Sequence, residues 1–207
     1  PLIKKKMSLL LSGRTTYSDW IMKKLPEKSG YRDGKAGFYD LGANWSYTID
    51  PFNKVNVYGY YSHDRFEFNE NEKYAYSNMN ASANWRAIFN EKVTANFTAG
   101  FDHYDYMNDE TVDEAAAARL KFAINQVYAK ANFDHQLGNG HTLNYGLSTM
   151  LYDLQPGTYE PILESSTIQR KKLQNEKALE SALYIGDQWE INPKLSVDAG
   201  IRLSMFN

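Results

Sequence analysis

The chain contains no cysteine, so it has neither disulfides nor thiolate metal ligands. It also lacks any apolar run approaching the ~20 residues that a membrane-crossing helix needs, and its mean hydropathy is −0.60. Neither sign of charge is in excess: 23 Lys and Arg against 25 Asp and Glu leave a net charge of −2, which argues against a dedicated nucleic-acid binder. His63, His103, His135 and His141 show no metal spacing of the HExxH kind. The acidic pairs Asp109, Glu110 and Asp113, Glu114 lack the calcium-loop pattern and read as a solvated loop. Gly138, Asn139 and Gly140 lack the further glycine and helix of a dinucleotide fingerprint. Arg170, Lys171 and Lys172 read as loop solvation, and no carboxylate pair stands out as a glycosidase pair. No catalytic residue, cofactor-binding residue or metal ligand is therefore assigned, ligand-binding residues are left open, and an enzyme is not expected.

Aromatic side chains are abundant, with 16 Tyr, 10 Phe and 4 Trp. Many fall near the ends of segments in which apolar and polar residues alternate, and the last stretch shows the pattern best. Leu195, Val197, Ala199, Ile201, Leu203 and Met205 share one parity, while Ser196, Asp198, Gly200, Arg202 and Ser204 share the other. A strand sends successive side chains to opposite faces, so this is one apolar face backed by one polar face. In a soluble sheet the apolar face needs a covering layer; in an outer-membrane barrel it meets lipid and the polar face lines the interior.

The same alternation recurs along the chain. It runs through Leu9, Leu11 and Gly13; through Tyr39 to Tyr47; and through Val55 to Phe68. Met79 to Phe89 and Val93 to Phe101 follow, then Val127 to Phe133, Leu143 to Leu151, and Ala178 to Ile191. These make about nine strands. Ser18 to Leu25 suits a short helical turn capped by Ser18. Glu114 to Ile124 suits a helix on propensity alone. Leu120, Phe122 and Ile124 fall on the opposite parity to Val127, which predicts a bulge or switch near Asn125 and Gln126. Asp187 shares parity with Leu183, Ile185 and Trp189, and its facing stays open.

Connections at Asp50–Lys54, Asn90–Glu91, Leu137–His141 and Asn192–Lys194 are short and turn-like. Those at Ser18–Lys35, Asn69–Lys73, Met107–Ala118 and Gln155–Asn175 are longer and more polar. Short periplasmic turns alternating with long extracellular loops are the habit of an outer-membrane barrel. The polar parity holds Asn44, Asn78, Asn80, Asn84, Arg86, Asn96, Asp198 and Arg202, a set suited to a hydrated lumen or to bonding a plug or one another. Trp20, Tyr74, Tyr106 and Tyr159 sit in or near loops, suited either to stacking on a sugar or chelate or to an interfacial girdle.

Several strings carry a family resemblance. They are ESALYIGDQW at Glu180–Trp189, PKLS at Pro193–Ser196, AGIRLS at Ala199–Ser204, GRTTYSDW at Gly13–Trp20, and GYYSHDRF at Gly59–Phe66. They resemble barrel strands of TonB-dependent outer-membrane receptors, particularly the Bacteroidetes type. The resemblance implies an all-β, antiparallel, up-and-down transmembrane barrel, with residues 1–207 a single segment of a larger barrel and long loops near 18–35, 107–118 and 155–175. It further implies TonB-dependent uptake of a scarce nutrient, a metal chelate or a glycan, in the outer membrane of a Gram-negative bacterium. The implied partners are outer-membrane lipid, the TonB energy-coupling complex through a plug, and a surface lipoprotein. Plug and TonB box have no counterpart in these residues. The opening residues are basic, but Leu9 to Leu11 is too short for a signal peptide, so an internal piece of a longer polypeptide is expected. Two rivals predict otherwise: a small complete outer-membrane barrel serving as adhesin or structural protein, and a soluble carbohydrate-binding β-protein with Leu41, Ala83 and Ala199 under a second sheet.

Overall fold

A computed structural model describes residues 6–16, 19–26, 28, 34–69 and 71–207. The strands are β1 (Met7–Thr15), β2 (Lys35–Thr48), β3 (Asn53–Asn69), β4 (Glu72–Ile88), β5 (Val93–Glu110), β6 (Ala118–Gly138), β7 (His141–Pro161), β8 (Lys171–Lys172), β9 (Glu176–Asn192) and β10 (Leu195–Phe206). Nine of them form an antiparallel meander in chain order, and β8 adds a two-residue rung on β7. A short helix α1 (Asp19–Met22) stands where a helical turn is expected; its proposed cap, Ser18, lies outside the described residues.

The sheet is a single layer. Its fully buried apolar residues are all alanines, and no large side chain is fully buried among the described residues. Leu41 is 58% exposed and Ile201 76%, so among the described residues no second sheet covers them, as a soluble β-protein would require. An extended apolar face left bare in this way needs an apolar solvent rather than water.

Four tight turns close one end, and three share a device. Asp50 Oδ1 accepts hydrogen bonds from the backbone N–H of Phe52 and Asn53, each 2.8 Å. Asn90 Oδ1 accepts from Lys92 and Val93, each 2.9 Å. Asn192 Oδ1 accepts from Lys194 at 2.9 Å. A short acceptor side chain thus replaces the backbone partners that the turn removes. The fourth turn is Asn139-Gly140, with φ of 54° and 80°, the left-handed pair of a two-residue hairpin.

The opposite end departs from the expected loops. β5 runs on to Glu110 and β6 starts at Ala118, so the loop expected at 107–118 shrinks to 111–117. β7 continues to Pro161, β8 interrupts the rest of 155–175, and only residues 70–71 join β3 to β4. No helix spans Glu114–Ile124. A 3-10 turn at Glu114–Ala116, capped by Asp113, is followed by strand. The helical propensity of an alanine run is small against two flanking ladders of hydrogen bonds.

The parity change at Leu120, Phe122 and Ile124 is not a slip in β6 either, for β6 pairs with β5 without interruption from Ala118 to His135. The irregularity lies on β7, where Pro156 and Gly157 together oppose Phe122. β5 and β6 keep their register, and the polarity of the two faces inverts toward this end of the strands. A transmembrane β-strand needs about 9–11 residues, whereas β3 to β7 and β9 have 17 to 21.

Candidate ligand-contacting face

Opposed residues in a sheet share a face, so the register sorts every side chain. One face holds Leu9, Trp45, Val57, Ala83, Ala99 and Ala129 in one row. The next row toward the turns holds Tyr47, Val55, Trp85, Phe97, Ala131, Leu147, Leu183 and Leu203. Near the turns, rings pack along this face: Trp85 on Phe97 at 5.2 Å, Phe97 against Phe133 at 5.8 Å, and Phe133 on Tyr145 at 5.2 Å. An apolar band edged with stacked aromatics is the lipid face of a barrel.

The other face carries the polar set expected from parity. Asn84 Nδ2 donates to Thr98 Oγ1 at 2.9 Å, and Asn78 Nδ2 donates to Ser62 Oγ at 3.3 Å. Asn80 donates to Asp102. Arg202 donates to Ser148 Oγ at 3.3 Å, and its guanidinium lies 5.3 Å from the centre of the Tyr184 ring. Asn44, Arg86, Asn96 and Asp198 share the face by register, opposite Tyr58, Lys54, Asn132 and Gln188 respectively. Much of this lattice is satisfied by cross-strand bonds within the sheet.

Toward the long connections the same face turns aromatic. Phe66 stacks on Tyr76 with centroids 6.4 Å apart, and Tyr76 meets Tyr104 at 6.4 Å. Tyr104 meets Phe122 at 5.9 Å, and Tyr106 stacks on Phe122 at 4.9 Å. Tyr74 opposes Phe66. Tyr159 joins this face opposite Leu120 because the β7 bulge shifts its parity. Tyr74, Tyr106 and Tyr159 therefore share one face, whereas Trp20 stays on α1 with Lys24 Nζ 4.9 Å from its ring centre. Tyr76 and Tyr104 do not stand out in the sequence, and Phe122 stands out there only as part of a parity change. Their signal was an aromatic run on the polar parity, beyond the point where the apolar parity ends. Such a ladder offers broad π-faces able to stack on planar or ring-shaped groups.

Three of the four histidines bond within the sheet. On the outer face His63 Nδ1 lies 3.2 Å from Ser77 Oγ, Ser77 donates to Asp105 at 3.2 Å, and His103 bridges Asp105 at 3.2 Å and Asn125 at 2.6 Å. No group of three or more His, Cys, Asp or Glu is placed to hold a metal ion among the described residues. Outside the strands, Asp50 is held below the usual carboxylate range, chiefly by the hydrogen bond from Phe52 N–H and then by Asn53.

A single-layer meander with one lipid-facing band, one hydrated face and tight turns at one end defines an outer-membrane β-barrel protein. The family model described as TonB dependent receptor-like, beta-barrel matches residues 13–207, and the chain belongs to that family. It therefore lies in the outer membrane of Gram-negative bacteria. No curated protein matches the sequence. Among solved structures, the ferric-catecholate import receptor Fiu of E. coli K12 in its open form superposes with a TM-score of 0.72 at 12% identity, covering 99% of this chain and 41% of that one. The siderophore receptor PirA of Pseudomonas aeruginosa gives 0.65 at 17% identity, covering 99% and 32%. BauA, the ferric preacinetobactin receptor of Acinetobacter baumannii, gives 0.65 at 10%, covering 97% and 40%. At such identities the likeness is one of fold. The chain spans between 32% and 41% of the length of these three structures.

Proposed function

We propose that the protein is an uptake receptor of the Bacteroidetes type that imports a scarce nutrient by TonB-dependent active transport. The nutrient is captured at the aromatic end of the barrel interior. The observation that carries this reading is the ladder Phe66, Tyr76, Tyr104, Phe122 and Tyr106, which stands on the hydrated face beyond the lipid band. Flat π-surfaces at a pore mouth suit a metal chelate with aromatic arms, and equally the C–H faces of a glycan. Two structural neighbours are named as a ferric-catecholate import receptor and a siderophore receptor, which favours the chelate. Energy is supplied through a plug that contacts the TonB complex, and a surface lipoprotein assists capture.

The test uses the full-length protein against two probe panels, ferric catecholate chelates and neutral oligosaccharides, with binding read by intrinsic fluorescence. A stacked aromatic contact contributes about 0.5–1.5 kcal/mol. Joint Tyr106→Ala and Phe122→Ala substitution is therefore expected to weaken the bound probe about tenfold, while Trp20→Ala leaves it unchanged. Undiminished binding by the double variant removes the ladder from the site. Binding of oligosaccharides alone replaces the chelate with a glycan.

A further inference from the structure

At the foot of the aromatic ladder the hydrated face opens into a cavity of about 420 Å³. Tyr60, Asn78, Asn80, Asp102, Tyr104 and Gln126 line it, with Ile124 as an apolar wall. Register places these on one face: Tyr60 opposes Asn80, Asn80 opposes Asp102 and Asp102 opposes Gln126, while Asn78 opposes Tyr104 and Tyr104 opposes Ile124. Met79 and His103 border the cavity from the other parity. The His103 ring is turned away, bonded to Asp105 and Asn125 on the outer face.

Asp102 has no cationic partner among the described residues. Its Oδ1 accepts a hydrogen bond from Asn80, and its Oδ2 accepts none. Its own row and the rows directly above and below it carry one cation, Arg14, which Asp40 holds at 2.7 Å and which lies over the Phe38 ring. A carboxylate left in a concavity without a counter-ion favours a cation there. The tyrosine rings beside it present negative π-faces, which attract a cation and not an anion. A lone carboxylate does not make a metal site, which needs several ligand oxygens, and none is assembled among the described residues. It suits an ammonium or a guanidinium.

The ladder above has the same sense. Asn108 Oδ1, opposite Tyr74, is buried with no donor, and Asp64 opposes Tyr76. Glu72 opposes Glu110 with no ion pair to either, and like charges in that position repel until a cation screens them. Against these acceptors the strands of that stretch carry one cation on this face, Lys171, set apart opposite Tyr159.

We propose that the cavity seats a positively charged nitrogen of the nutrient, with Asp102 as its counter-ion and the Tyr60 and Tyr104 rings as cation–π partners. The body of the ligand then lies on the ladder above. The nutrient is thereby narrowed to one bearing an amine or guanidine, as in a cationic chelate or an amino sugar, and an anionic chelate is repelled by the same acids. The inference rests on the reading that this end of the barrel interior captures the nutrient, and adds the sign of its charge.

The experiment uses the full-length protein in detergent and two matched pairs of probes, with affinity read by calorimetry at mildly acidic pH, where the amines are protonated. One pair is a ferric catecholate chelate with a pendant primary amine and its N-acetylated twin. The other is a glucosamine oligosaccharide and its N-acetylated twin. One pair is expected to bind, with the amine form about tenfold tighter than its twin. Asp102→Asn keeps the acceptor for Asn80 and should erase that difference without changing the affinity of the acetylated form. Asp198→Asn, on the same face near the turns, should preserve it. Joint Tyr106→Ala and Phe122→Ala substitution should weaken both twins alike, which separates failure of the ladder from failure of the charge. Equal affinity of the twins, preference for the acetylated form, or an amine preference that survives Asp102→Asn overturns the inference and leaves capture on the ladder standing. Heat-modifiable gel mobility reports folding. If Asp102→Asn does not fold, the wild type decides: its amine preference should shrink as salt rises from about 0.05 to about 0.5 M, and a preference indifferent to salt overturns the inference. Binding of no probe removes capture on the ladder and this inference with it.

Discussion

His141 Nδ1 lies 2.7 Å from Asp187 Oδ2 on the lipid-side face, one row from the turns. The His141 ring stacks on Trp189 with centroids 5.1 Å apart. Asp187 is thus an acid on an otherwise apolar parity, placed opposite Leu143 and Ala199. Its position explains its presence: at the turn end, both partners sit at the interface, partly exposed. A pair of that exposure contributes about 0.5–1 kcal/mol, so a double-mutant cycle with His141→Gln and Asp187→Asn should give a coupling of that size. Additive single effects in urea unfolding would show that the two side chains act independently.

The two parities should meet different solvents. Ala83 shares its row with Val57 and Ala99, while Asn84 bonds Thr98 on the opposite face. A spin label at Ala83 is expected to respond to a lipid-soluble quencher and one at Asn84 is not. Ala83→Arg should cost about 2–4 kcal/mol if the site is near the bilayer midplane. Equal accessibility of the two labels would contradict the facing.

Two glycines of one hairpin should respond differently to the same change. Gly138 has φ of 92° and open space where a Cβ would project, whereas at Gly140, with φ of 80°, the Cβ would lie 2.4 Å from the Glu190 carbonyl oxygen. A left-handed backbone costs an L-residue about 1–2 kcal/mol. Gly138→Ala should show that cost alone in equilibrium unfolding, and Gly140→Ala should exceed it because backbone must shift. Equal losses would mean that the β9 strand yields freely.

The Asp50 turn should be sensitive to acid. Its carboxyl is held below the ordinary value of 3.8, so the folded state binds a proton more weakly than the unfolded one. The stabilisation is fully present above that value and fades as pH falls through the lower, folded value. Asp50→Asn keeps the acceptor used at Asn90 and Asn192 but does not titrate. Unfolding midpoints of wild type and variant should converge as pH drops from about 4, and parallel curves would refute the assignment.

Sidedness follows from the two ends of the meander. The connection containing β8 is expected at the cell surface and the Asn139-Gly140 turn in the periplasm. An epitope tag at Lys171 should be detected on intact cells, and one at Asn139 only after the outer membrane is opened. The reverse result inverts the topology.

Alternation, turn chemistry and the absence of any helix-length apolar run were legible in the residues themselves. Parity is a local property of extended backbone, and so is an Asn or Asp acceptor closing a turn. That is enough to place Asn84 with Arg202 on one face and Trp85 with Leu203 on the other. Three things were decided only by the assembled sheet. Lateral pairing carried β5 and β6 past the expected loop, because each strand's ladder offsets its neighbour's loss of chain entropy. The β7 bulge moved Tyr159 beside Leu120, through a two-against-one mismatch that neither strand shows alone. The inversion of the faces at Tyr104, Tyr106 and Phe122 belongs to the level at which the strands leave the lipid band. That level is set jointly by neighbouring strands, and no single segment contains it.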